Sequence, residues 1–163
     1  MTSTDNEAAV VVLVVEDETL VRLLANDILT EAGYRVLEAR DGQEALTILE
    51  VYANVRALFT DVTMPSLDGL SLARIVCERW PDIGIVITSA VPLPSEAPSG
   101  ALFVPKPASP EAVLRALDTV IGDTDTAVAA GAAPVILTSL PMLRAGQMHG
   151  AGGLAQPLAE PEA

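Results

Sequence analysis

An α/β fold with five mainly parallel strands and helices on both faces of the sheet is predicted for this 163-residue chain. Two observations predict it. Short β-branched apolar runs alternate with segments of helical period, a pattern that demands right-handed crossovers. Each run also ends on a polar side chain suited to chemistry. In such sheets the binding crevice lies beyond the C-terminal ends of the strands.

Residues 1–7 are polar and are expected to form a flexible N-terminus. They carry no basic n-region, so no secretory signal is expected. Residues 10–15 are a continuous valine-rich run, the mark of a strand buried on both faces, and it ends in Glu16-Asp17. From Thr19 the period becomes helical. Leu20, Leu24 and Ile28 define an apolar side with Leu23 and Ala32, and Arg22, Asn26 and Glu31 are assigned outward. Gly33 sits where a helix C-terminus favours a left-handed residue. A weaker strand spans 34–39. Asp41 and Glu44 have capping-box spacing and open a second helix.

The run Ala57-Leu58-Phe59-Thr60 then delivers Asp61 to the rim of the sheet, and a turn follows through Pro65, Asp68 and Gly69. A third helix is predicted over 70–80, stopped by Pro81. The fourth run, 84–88, ends in Ser89, and the fifth, 101–104, leads through Pro105 to Lys106. Ser109-Pro110-Glu111 then gives an N-cap, a first-turn proline and an acid near the positive helix end. The last helix is predicted to end near Ile121. Residues 8–122 are thus expected to form one domain. Residues 123–163, rich in Ala, Gly and Pro, read as a mostly disordered tail holding an apolar patch at 135–143.

A formal net charge of -13 with only nine basic residues excludes a basic nucleic-acid interface. The apolar runs are far shorter than the ~20 residues of a membrane span. A cytoplasmic protein is therefore expected. Cys77, the single cysteine, has no partner for an internal disulfide and falls in the apolar phase of a helix. His149 lies among glycines and receives no role.

Three carboxylates gathered at one sheet edge repel one another, and a hard divalent cation with oxygen ligands resolves the conflict. Mg²⁺ suits that donor set. It would hold phosphate oxygens, Lys106 would add a positive charge, Ser89 a hydroxyl, and Asp61 could act as nucleophile.

The residues Val14-Val15-Glu16-Asp17-Glu18, Ala39-Arg40-Asp41-Gly42-Gln43-Glu44-Ala45-Leu46, Thr60-Asp61-Val62-Thr63-Met64-Pro65-Ser66-Leu67-Asp68-Gly69, Ile87-Thr88-Ser89-Ala90 and Val104-Pro105-Lys106-Pro107 together resemble the receiver domain of two-component response regulators. The resemblance covers 10–121. It implies a flavodoxin-like sheet of order 2-1-3-4-5, with Asp61 as phosphoacceptor and Asp17 as a direct Mg²⁺ ligand. Glu16 would act on the metal through water, and Thr63 through its backbone carbonyl. Ser89 becomes the switch hydroxyl, Lys106 the phosphate-binding lysine and Phe103 the switch aromatic, and Pro107 is expected after a cis bond. The implied partners are a sensor histidine kinase or phosphotransfer protein and a downstream protein, with neither nucleic acid nor membrane. The chain would catalyse only its own phosphorylation and dephosphorylation and not turn over an external substrate.

The family's fourth helix has no counterpart in 91–100, which holds three prolines. A proline inside a helix costs about 3 kcal/mol, so a loop is expected there. Output must then pass through that loop, the Phe103 face or a docked partner, and the 135–143 patch could cover the exposed surface. With no output domain recognised after the receiver segment, a stand-alone receiver is expected. Two other readings compete. One is an unphosphorylated interaction domain, which the complete acid, Ser and Lys set disfavours. The other is an aspartate-nucleophile phosphohydrolase, which would place a second Asp where Thr63 stands.

Overall fold

The computed structural model describes residues 9–92 and 95–130, the side chains of 126–130 excepted. Its elements run β1 (Val11–Val15), α1 (Thr19–Glu31), β2 (Arg35–Ala39), α2 (Gly42–Val51), β3 (Val55–Asp61), α3 (Gly69–Arg79), β4 (Gly84–Ser89), β5 (Leu102–Pro105) and α4 (Pro110–Ala130). All neighbouring strands pair in parallel, in the order β2-β1-β3-β4-β5. The parallel pairing is what the alternating runs predict, and the strand order is the one the receiver resemblance implies.

The unbroken apolar character of β1 follows from burial on both sides. Val11, Leu13 and Val15 join the core beneath α2 and α3, with Leu58, Leu72, Val76 and Ile87. Val12 and Val14 face the other way, with Leu29, Phe59, Val86, Leu117 and Val120 beneath α1 and α4. Period-2 alternation thus feeds two cores from one strand. Cys77 is half-buried against the first of them.

The helix starts are fixed by side chains. Asp41 accepts from the Glu44 N–H at 2.8 Å, while Glu44 reaches back to the Arg40 N–H at 2.8 Å. Asp68 caps α3 by accepting from the Ser71 N–H at 2.8 Å; that contact holds its carboxyl below the usual carboxylate range. Ser109 Oγ accepts from Ala112 N–H at 3.2 Å. Gly33, at φ 95°, carries the chain out of α1, and the Lys106–Pro107 bond is cis.

Three expectations need correction or restriction. First, the buried side of α1 is not the 20/24 stripe. Leu20 is 75% exposed and Leu24 61%, whereas Leu29 is fully buried and Ala25 packs against the core. Two adjacent stripes of α1 are apolar, so period alone could not choose between them. Second, α4 does not end at Ile121 but continues to Ala130. Gly122 lowers helix propensity without terminating a helix. Thr124 Oγ1 donates to the Val120 and Ile121 carbonyls, and Asp125 pairs with Arg56 of β3. Third, the expected loop at 91–100 includes Leu93 and Pro94, which lie outside the described residues; on either side the chain is turn, bend or coil. Arg74 of α3 ties this segment down through the Glu96 carbonyl and carboxylate. Residues 1–7, the 135–143 patch and His149 also lie outside the described residues.

Tyr34 links the start of β2 to α4 by donating its phenol proton to Asp118. Burial and then the Asp118 carboxylate push the phenol up to about 12. A folded pKa above the unfolded value near 10.0 means that the unfolded chain releases this proton first. Stability from the contact is therefore present below pH 10 and lost as pH rises toward 12. Tyr34→Phe is expected to flatten the fall in Tm across that window relative to the parent. An equally steep fall in the variant would remove Tyr34 as its source.

Candidate functional site

The order of the strands decides which polar ends meet. From β1 the chain steps outward to β2, then returns to place β3 on the other side of β1. The crevice of a doubly wound sheet opens at such a reversal. Val15 pairs with Thr60, so Glu16 and Asp17 leave β1 beside Asp61, the last residue of β3. Asp61 pairs in turn with Thr88, and Ser89 with Pro105, which aligns the ends of β4 and β5 with the same rim. The Lys106 N–H donates to the Ser89 carbonyl at 2.9 Å, fixing the base of the lysine.

Glu16, Asp17 and Asp61 each offer a carboxylate oxygen, and these lie within 4.8 Å of one another. Glu16 and Asp61 are buried and Asp17 is exposed. Lys106 Nζ stands 3.3 Å from Asp61 Oδ1 and 3.4 Å from Glu16 Oε2, so one ammonium serves two carboxylates. Glu16 Oε1 accepts from the Glu18 N–H at 3.1 Å. Burial, with Asp61 and Asp17 nearby, holds the Glu16 carboxyl above the usual range despite the opposing Glu18 N–H and Lys106. Burial alone would depress the Lys106 ammonium; Glu16 and Asp61 outweigh it and hold the lysine above its ordinary value. An all-oxygen, net-negative donor set of this kind fits a hard divalent cation.

The structure therefore brings Glu16, Asp17, Asp61 and Lys106 together. Ser89, buried at the end of β4, accepts the Val91 N–H on its Oγ at 3.1 Å. Thr63 lies exposed two residues past Asp61. Phe103 pairs with Ile87 and is half-buried, away from the acid cluster along β5.

Sequence reasoning missed Arg22. It was assigned to the outer side of α1, yet its guanidinium folds back to the Glu16 carbonyl at 2.7 Å and to Glu38 at 3.5 Å. An arginine one helical turn past an acid pair carries no periodicity signal. Only the sheet order, which puts Glu38 of β2 next to β1, makes the contact legible. Sequence reasoning also missed that Leu20, Leu24 and Val91 are exposed, and that Leu24 shares a groove with Glu16 and Lys106. Between α1 and the β5–α4 turn runs an apolar groove of ≈ 480 Å³, lined by Val21, Leu24, Ile28, Phe59 and Pro107 and bordered by Lys106.

A doubly wound domain carrying acids and a lysine at its switch point belongs to the class of α/β proteins that handle phosphate or a metal at that crevice. The particular family is set by comparison: residues 12–118 match the response regulator receiver domain, and the chain belongs to that family. It is 34% identical over 117 residues to chemotaxis protein CheY of Thermotoga maritima, covering 67% of this chain and 95% of that protein. It is 39% identical over 115 residues to the sensor kinase CckA of Brucella abortus, covering 66% of this chain but only 12% of the kinase. The crystal structure of Vibrio cholerae CheY4 is similar at TM-score 0.64 and 26% identity, over 69% of this chain and 99% of that one. Residues 12–118 are thus a receiver domain, a phosphoacceptor module of two-component signalling. Among the described residues no helix is long and apolar enough to cross a membrane.

Proposed function

We propose that Asp61 accepts a phosphoryl group from the phosphohistidine of a sensor histidine kinase or phosphotransfer protein, with Mg²⁺ held by Glu16, Asp17, Asp61 and the Thr63 backbone carbonyl. The observation that carries this reading is the contact of Lys106 Nζ with Asp61 Oδ1 at 3.3 Å inside a cluster of three carboxylates. Mg²⁺, when bound, supplies positive charge that neutralises the acids and attracts phosphoryl oxygens. An Asp61 carboxylate oxygen attacks phosphorus; the new O–P bond forms as the P–N bond to the donor imidazole breaks. Lys106 balances charge on the transferred group. The Ser89 hydroxyl, which accepts from Val91, keeps its own proton to donate to a phosphoryl oxygen.

Leu24, exposed in the apolar groove that also takes in Glu16 and Lys106, supports docking of a protein donor at this rim. Output passes by protein–protein contact, through the 91–100 segment and the Phe103 face, without nucleic acid or membrane, and in the cytoplasm. The chain acts on no external substrate; it catalyses only the gain and loss of its own phosphoryl group.

The test is incubation with a small phosphodonor and Mg²⁺, followed by intact-mass measurement. A gain of one phosphoryl mass is expected in the parent and none in Asp61→Asn. The same gain in Asp61→Asn would assign the acceptor elsewhere.

A further inference from the structure

We infer that Arg22 is a positioning residue for the metal centre: with Glu38 it braces the β1–α1 turn so that Glu16 and Asp17 face the cation. The backbone of Glu16 is pinned on both sides. Its N–H donates to the Ala39 carbonyl at 3.1 Å, and its carbonyl accepts from Arg22 NH1 at 2.7 Å. Arg22 Nε is in turn held by Glu38 Oε1 at 3.5 Å, and the Arg22 side chain is only 17% exposed. Both anchors therefore trace back to the end of β2. A buried carbonyl past the last ladder bond of a strand needs a donor, and here a side chain from α1 supplies it.

The consequence falls on Asp17. It is exposed, and the direction in which its Cα–Cβ bond leaves the chain follows the peptide it shares with Glu16. An unbraced turn could rotate that peptide and carry Asp17 out of the 4.8 Å cluster. The planar guanidinium fits the task because two of its nitrogens serve two different oxygens at once, which a lysine ammonium cannot do with the same geometry. Groups just outside a metal's ligands commonly set affinity in this way.

Electrostatics and bracing predict opposite signs, and this makes the inference testable. Removing a positive charge near a cation site should tighten Mg²⁺ binding; removing a brace should weaken it. The brace matters only if the acid cluster takes Mg²⁺, as proposed above. Mg²⁺ alone is therefore titrated into the full chain, with no phosphodonor, by calorimetry. Arg22→Met is expected to bind about tenfold more weakly than the parent, and Arg22→Lys, which keeps the charge, to fall between them. The phosphorylation rate of both variants should return to that of the parent at saturating Mg²⁺, a recovery that loss of fold would not allow.

Arg22→Met binding Mg²⁺ as tightly as the parent, or more tightly, overturns the brace. If Arg22→Met does not fold, Arg22→Lys decides: parental Mg²⁺ affinity in that variant overturns it equally. A parent that binds no Mg²⁺ overturns the metal reading itself and the brace with it.

Discussion

Gly69→Ala is expected to cost about 3 kcal/mol or more of stability, above the usual range for an overpacked site, and to abolish phosphorylation in whatever fraction stays folded. A Cβ at Gly69 would stand 1.9 Å from the Asp61 carbonyl oxygen and 2.8 Å from its carbonyl carbon. Both are backbone atoms, so no change of rotamer relieves the clash. The turn is closed by the Gly69 N–H donating to the Val62 carbonyl at 2.9 Å, while Asp68 caps the helix one residue earlier. The added methyl must either push α3 away from the sheet or twist the peptide that carries Asp61. Gly42 provides the control. There a Cβ meets Leu67 side-chain atoms, the nearest at 2.8 Å, and a side chain can move aside. Urea denaturation of Gly69→Ala and Gly42→Ala should therefore rank the first well below the second. Equal losses would mean that the α3 turn is softer than its geometry implies.

Much of this arrangement was legible in the residues because strand ends and helix caps are local. Asp61 and Ser89 announce themselves as polar side chains closing apolar runs, and the run 101–104 ends just before Lys106. Asp41 and Ser109 carry the spacing and residue types that caps require, and both cap as expected. Other features were not local. Leu20 and Leu24 are as apolar as Val21 and Leu29, so which stripe of α1 is buried depends on how α1 sits over β1 and β2. The partners of Arg22 lie in β1 and β2, and the contact exists only once those strands pair. Nor did Gly122 mark the end of α4. The residues that sustain that helix are Thr124, bonding back to its own turn, and Arg56, reaching it from β3.

Lys106→Met should lower stability by about 2–3 kcal/mol at neutral pH without Mg²⁺, at or just below the lower end of the about 3–5 kcal/mol that loss of one partner in a buried ion pair costs, because the lysine keeps some contact with solvent. The side chains of Glu16 and Asp61 are 7% and 9% exposed, so removing the ammonium between them leaves two desolvated carboxylates facing each other. The signs with pH follow from the two shifts. The Glu16 carboxyl lies above its ordinary value of 4.5, so folding disfavours its charge; stability falls as pH rises from there through the folded pKa, and loss of Lys106 enlarges that fall. The lysine lies above its ordinary value of 10.5, so its contribution is complete below that pH and disappears as pH rises through the folded pKa. Parent and variant should therefore converge at both acid and alkaline extremes and differ most between them. Mg²⁺, if the cluster takes it as proposed, would offer the carboxylates a second source of positive charge, and saturating Mg²⁺ at neutral pH should then narrow the gap in Tm. A difference in Tm that is flat with pH and indifferent to Mg²⁺ would mean that Lys106 supports the fold by packing its stem, and not by sharing its charge between Glu16 and Asp61.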